Sequence, residues 1–261
     1  MSPKPTLVFV PGAWHSASTW DKVTSLLETY EYKCISVPLP STFSDPSATF
    51  YADMKAVRDA IEGETTQGRD VVVVVHSYGG LVGVSAIKGL TVTKEETSTS
   101  TKDQSGHVIG VIMMATGFAI TGMSFLDGAG GKPPPIWKAN EETGFAEFLV
   151  DPRPLFYHDL PEEEGKYWVS QLKNHSLKSL AEGGEHVYAG WKDVPVWFLA
   201  TTEDKAFPPP AAEIQRMFVQ KAKDEGGDVT LREIASSHSP MLSMPKETVD
   251  FILEALKAFE A

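Results

Sequence analysis

The stretch Asp70-Val-Val-Val-Val-Val-His-Ser-Tyr-Gly-Gly80 constrains this chain more than any other. Five consecutive valines have stiff, β-branched side chains that favour an extended backbone. No polar residue alternates with them, so both faces of the strand must be buried, as in the middle of a parallel sheet. The run stops at His76, and Ser77 follows in a short turn closed by Gly79 and Gly80. From Leu81 the small apolar residues Val82, Val84, Ala86 and Ile87 predict a buried helix. Strand, tight turn bearing serine, then helix is the arrangement that lifts a serine oxygen out of the backbone at the C-terminal edge of a sheet. Gly79 leaves room for the turn, and Gly80 lets helix and strand approach. The first glycine of the G-x-S-x-G pattern is Val75 here, whose side chain must pack where a hydrogen usually sits. A serine at such a turn can also be a plain helix cap, so its chemistry depends on partners elsewhere.

The rest of the chain supplies the setting. Thr6–Val10 reads as a short buried strand, followed by the small-residue loop Pro11-Gly-Ala-Trp-His-Ser-Ala-Ser18, whose backbone N–H groups can face an anion. Helical spacing covers Thr19–Tyr30 and about Phe50–Ile61, with a strand at Lys33–Val37 between them. Thr91–Gly106 is polar and has little to bury, which predicts a solvated loop. His107–Ala115 is another buried strand. Strands alternating with helices imply an α/β fold with a mainly parallel sheet covered on both faces. The pattern breaks between about Gly117 and Lys192, where Gly/Pro-rich and aromatic sequence shows no evident strand. That break predicts a core of residues 1–118 and 193–261, with a helical cap inserted at 119–192. The sheet resumes at Val194–Ala200, a helix carries Ile214, Met217 and Phe218, and the last strand, Val229–Ile234, precedes a helix from Pro245.

Composition narrows the partners. With 23 basic against 35 acidic residues the net charge is −12, which argues against nucleic acid and anionic membrane surfaces. No apolar run approaches membrane-spanning length. The start of the chain lacks a signal-peptide pattern, and the single Cys34, in a strand, reads as core and not as a reactive thiol. A cytoplasmic protein is the expectation. No His/Cys/carboxylate cluster has ligand spacing, so neither metal nor cofactor is expected. An apolar cap face could pair two copies into a homodimer.

Serine-based acyl transfer needs a base to take the Oγ proton and an acid to orient that base. Three loops that follow strands carry suitable residues in the chain order Ser, acid, His: Ser77, then Glu203 or Asp204, then His238. Asp204 is favoured as the acid, and Asp127 is kept as an outsider after an earlier strand. His15 could line a pocket or hold its loop, and His76, beside the serine, fits a packing role. Candidates for substrate contact are Trp14 and His15 on the first loop and Trp137, Phe145, Tyr188 and Trp191 in or beside the cap.

These motifs together resemble the α/β-hydrolase superfamily, in particular the branch of plant methylesterases and hydroxynitrile lyases with their fungal and bacterial relatives. Val10-Pro-Gly-Ala-Trp-His-Ser16 is similar to that branch's H-G-A-x-H-G oxyanion loop, with Pro11 in place of His. His76-Ser-Tyr-Gly-Gly80 is similar to its G-H-S-x-G-G elbow. Thr201-Thr-Glu-Asp204 matches the acid loop, and Ser237-His-Ser-Pro-Met241 the histidine loop. The likeness runs over nearly the whole chain. It implies Ser77 as nucleophile, His238 as base, Asp204 as orienting acid, and the amides of Ala13 and Tyr78 as oxyanion hole. The aromatic residues in or beside the cap suggest a small, neutral or aromatic ester or lactone as substrate. A lyase of this branch carries Lys after the histidine, where this chain has Ser239. C–C bond cleavage by the same residues and a ligand receptor built on the same fold stay open as alternatives.

Overall fold

The computed structural model describes residues 3–92 and 105–260. The polar segment expected to be a solvated loop therefore falls largely outside the described residues. The chain begins with β1 (Thr6–Val10), α1 (Asp21–Thr29), β2 (Cys34–Ser36), α2 (Phe50–Thr65), β3 (Val71–His76), α3 (Tyr78–Ala86) and β4 (Val108–Met114). An insertion follows, holding α4 (Phe125–Gly128), β5 (Trp137–Asn140), β6 (Phe145–Phe148), α5 (Pro152–Phe156), α6 (Glu162–Gln171), β7 (His175–Ser176) and α7 (Leu177–Ala181). The core resumes with β8 (Val196–Thr201), α8 (Ala211–Asp224), β9 (Val229–Ile234), α9 (Pro240–Ser243) and α10 (Pro245–Phe259). The main sheet has six parallel strands in the order β2-β1-β3-β4-β8-β9.

The valine strand explains why this sheet has a helix layer on each side. All five valines are fully buried, each burial stabilising by roughly 1.5–3 kcal/mol. Val73 and Val75 point at Gly83 of α3. Val72 lies beside Gly110 of β4, and that position faces the Phe259 ring of α10. Alternate valines therefore meet different helices, as the period of a strand requires. The crowding expected at Val75 is relieved at Gly83 of α3, where an added Cβ would collide with Val75 Cγ1. The glycine missing before the serine is replaced by space after it.

Some expectations need correction. The insertion is not free of strands: β5, β6 and β7 form a three-stranded antiparallel sheet. Its strands are four, four and two residues long, too short for alternation to stand out against a Pro/Gly-rich background. On α8 the buried residues are Ala211, Gln215, Val219 and Ala222, while Met217 is 60% exposed. The buried polar Gln215, whose amide grips the backbone of β8, hid the true apolar face. β2 is half-buried because it is an edge strand, so Cys34 is not fully core; burial still pushes its thiol up to about 12. Among the described residues no helix is long and apolar enough to cross a membrane.

The Val75–Gly83 contact yields a double-mutant prediction. Gly83→Ala alone should lower unfolding stability by about 1–3 kcal/mol through overpacking. Combined with Val75→Ala it should cost clearly less than the sum of the two single changes. Additive losses in urea unfolding would show that the two residues do not share this space.

Candidate active site

β1 and β3 run in register, with Val10 beside Val75, so the loops leaving them emerge side by side. Ser77 follows the last residue of β3 with φ 51° and ψ −125°, a conformation costing a non-glycine residue about 1–3 kcal/mol. Three hydrogen bonds hold it there. The Ser77 N–H donates to the Met114 carbonyl at 3.2 Å, and the Ser77 carbonyl accepts from Gly80 N–H at 2.8 Å and Thr116 Oγ1 at 2.7 Å. The helix starts at Tyr78 and not at Leu81, which puts the Tyr78 N–H at a first helical position with no intrahelical acceptor. The first loop is pressed against this elbow. A Cβ on Gly79 would lie 2.5 Å from the Pro11 carbonyl oxygen, and one on Gly12 would lie 3.1 Å from Ser77 Cβ. Ala13 is the next residue along that loop.

The acid and histidine loops leave the paired strands β8 and β9. His238 Nδ1 lies 2.8 Å from Asp204 Oδ2. That oxygen also accepts from Thr201 Oγ1 at 2.8 Å, and Oδ1 accepts from the Ala206 N–H at 2.8 Å. An ionised carboxylate only accepts, so Nδ1 carries the imidazole proton and Nε2 keeps its lone pair. Both residues are buried, at 5% and 4% exposure, where the pair is stronger than in water. Gln215 fixes the strand end by donating to the Thr201 carbonyl at 2.8 Å and accepting its N–H at 3.1 Å. Glu203 is exposed, its carbonyl accepting from His158 Nε2. Asp127 is exposed and caps α4 through Ser124. Asp204 alone of the three acids meets the histidine.

Two further histidines brace these loops. His15 Nδ1 lies 2.7 Å from the Ala13 carbonyl, so it donates there, and Nε2 accepts from the Tyr157 hydroxyl at 2.8 Å. With both nitrogens engaged, His15 holds its loop. His76 Nε2 donates to the His238 carbonyl at 2.8 Å, while Nδ1 is buried without a partner among the described residues. Burial pushes His15 down to about 4 and His76 well below the ordinary histidine value, and His238 nearby adds to both.

The aromatic residues expected to contact substrate divide. Trp14 is buried and serves as a peg into the cap: its Nε1–H donates to the Ala146 carbonyl at 2.9 Å, and its ring meets Phe148 at 4.6 Å and Trp137 at 6.1 Å. Trp137, at 2% exposure, belongs to the same packing. Phe145 lies on the face of β6 opposite that of Ala146 and Phe148, alongside Glu147. Tyr188 and Trp191 are misplaced by the sequence reading. The Tyr188 N–H donates to Ser85 Oγ and its ring lies under Lys88, at the far end of α3 from Ser77. Trp191 bonds the Ala119 carbonyl and packs against Gly227, where β9 begins, opposite the sheet edge that carries the serine. The sequence offers Phe156 and Tyr157 only as two of the aromatics in or beside the cap, and it singles out neither Phe207 nor His158 and Asp159. Phe156 and Phe207 lie 5.3 and 6.2 Å from the His238 ring. No strand end or motif marks either.

With this geometry in place, the family follows. The chain belongs to the alpha/beta hydrolase family, whose model matches residues 7–251. It is 28% identical over 258 residues to the alpha/beta hydrolase nvfD of Aspergillus novofumigatus, covering 97% of this chain and 96% of that one. Among solved structures it is similar to polyneuridine aldehyde esterase, at 20% identity and a TM-score of 0.73, covering 97% and 99% of the two chains. Tomato methylketone synthase I complexed with 2-tridecanone matches at 17% identity and a TM-score of 0.75, covering 98% and 99%.

The buried histidines predict acid sensitivity. Burial also lowers His175 to about 3, so three histidines, His15, His76 and His175, are neutral when folded and bind protons near their ordinary value of 6.5 once unfolded. Their lowered values give stability that is lost as pH falls below 6.5. Asp53 works the other way, since burial raises it from 3.8 to about 6 and the folded chain holds its proton longer. Three protons less one gives a slope approaching roughly 2.7 kcal/mol per unit between about pH 6 and 4.5. Urea unfolding across that range measures it, and a flat profile would contradict the neutral buried histidines.

Proposed function

We propose that this hydrolase is a serine esterase in which Ser77 is the nucleophile, His238 the general base and Asp204 the acid that orients it. The observation that carries the reading is the buried Asp204–His238 pair at 2.8 Å, which leaves Nε2 as a base at the sheet edge that holds the Ser77 elbow. His238 Nε2 takes the Oγ proton as Oγ attacks the ester carbonyl carbon. Asp204 stabilises the imidazolium so formed. The carbonyl oxygen, now an oxyanion, accepts from the amides of Ala13 and Tyr78, each donor worth about 3–4 kcal/mol in related chemistry. Collapse breaks the C–O bond, and His238 returns its proton to the departing alkoxide. Water then repeats the sequence on the acyl-enzyme.

The surroundings favour a neutral substrate. Phe156 and Phe207 flank His238, and Trp14 and Phe148 pack nearby on the cap side. The word esterase in the name of one structural neighbour agrees with this class.

A panel of aryl esters, methyl esters and lactones tests the proposal. The wild type should turn over at least one class. Ser77→Ala and His238→Ala should each lose at least about 10³-fold in kcat/KM, and the double variant little more than either single one. Turnover that survives Ser77→Ala would refute the assignment.

A further inference from the structure

We infer that His175, supported by Ser179, is a positioning residue for the oxyanion hole, reaching it from the cap. This rests on the serine-esterase reading above and names what fixes its anion site. Trp14, next to Ala13, has φ 62°, in the left-handed region that an L-residue leaves unless held. The cap holds it at two points. The Trp14 N–H donates to His175 Nδ1 at 3.3 Å, and the Trp14 carbonyl accepts from the Lys173 N–H at 2.8 Å. His175 lies in β7, and Lys173 stands two residues before it on the same segment. The backbone of the oxyanion loop is thus hydrogen-bonded to the cap on each side of the strained residue, and the direction of the Ala13 amide follows from it.

The bond requires a definite form of His175. To accept from Trp14, Nδ1 must be unprotonated, so Nε2 carries the hydrogen. Nε2 lies 3.0 Å from Ser179 Oγ, and that hydroxyl donates in turn to the Ser176 carbonyl at 2.9 Å. Every hydrogen in this chain of groups has one place to go. His175 is fully buried, which keeps it neutral and its acceptor available.

The same cap turn reaches the second proposed donor. The Tyr78 ring meets His175 edge-on at 4.9 Å. Its hydroxyl donates to Asp53 Oδ2 at 2.8 Å and lies 3.3 Å from the Ser179 carbonyl. Residues 175–179 therefore touch both residues that border the anion site, Trp14 on one side and Tyr78 on the other.

Three variants of the full chain test this: His175→Phe keeps the bulk and removes the acceptor, His175→Asn puts an amide oxygen near the position of Nδ1, and Ser179→Ala frees the tautomer. The readouts are kcat and KM on an ester the wild type hydrolyses, the rate of Ser77 phosphonylation by an alkyl fluorophosphonate, and thermal melting. His175→Phe should lower kcat and the phosphonylation rate by about 10- to 100-fold, with KM within about 2-fold. His175→Asn should recover to within about 3-fold of wild type, and Ser179→Ala should lose about 3- to 10-fold in kcat. Folded His175→Phe with full kcat, equal loss in Phe and Asn variants, or a loss confined to KM would each overturn the inference. If His175→Phe does not fold, Ser179→Ala decides, and an unchanged kcat there counts against it. A wild type neither active on esters nor labelled at Ser77 defeats the esterase reading and this inference together, whereas failure of the inference alone shows only in the variants.

Discussion

Everything at this site depends on holding the backbone of Ser77 in a conformation it does not favour. Among the described residues five non-glycine positions have positive φ, and three of them, Trp14, Ser77 and Ala115, lie just past the ends of the adjacent strands β1, β3 and β4. Strain collects where the chain leaves the sheet because the strands cannot yield. Their valines are buried on both faces, so the ends are fixed points from which sharp turns can be made. Met114, Thr116 and Gly80 then supply the hydrogen bonds that keep Ser77 turned. Rigidity below permits distortion above.

The cap is the second half of that constraint. Four consecutive residues at the end of α5 reach different parts of the site. The Phe156 carbonyl accepts from Ser237 Oγ, Tyr157 donates to His15, His158 donates to the Glu203 carbonyl, and Asp159 accepts from the Ser237 N–H. The loops that carry His15, Glu203 and Ser237 are all fastened to one short piece of the insertion. Residues 173–179 add a second fastening at Trp14 and Tyr78. A part of the chain that the sequence suggests only as a cap also serves as a frame for the loops around Ser77 and His238.

The core was legible in the sequence because its signals are local. The valine run, the glycines after Ser77 and the acid and histidine after the last two strands each announce themselves within ten residues. The frame was not legible, because it is made of single contacts between distant positions. His175 meets Trp14 across 161 residues, and Tyr157 meets His15 across 142. Neither carries a motif. The same limit explains Tyr188 and Trp191: aromatic residues near a cap suggest a pocket, but only the fold shows them beside the far end of α3 and the start of β9. Gln215 misled the reading of α8 for a related reason, since a polar residue can be core when its amide replaces missing backbone partners.

The most direct measurement is to catch the covalent intermediate. Wild-type protein mixed with excess aryl ester, quenched in acid within milliseconds and weighed intact, should gain the mass of one acyl group, and a digest should place that group on Ser77. His238→Ala treated in the same way should stay unmodified over the same interval. Rapid ester turnover with no acyl adduct, or an adduct on another residue, would contradict the account.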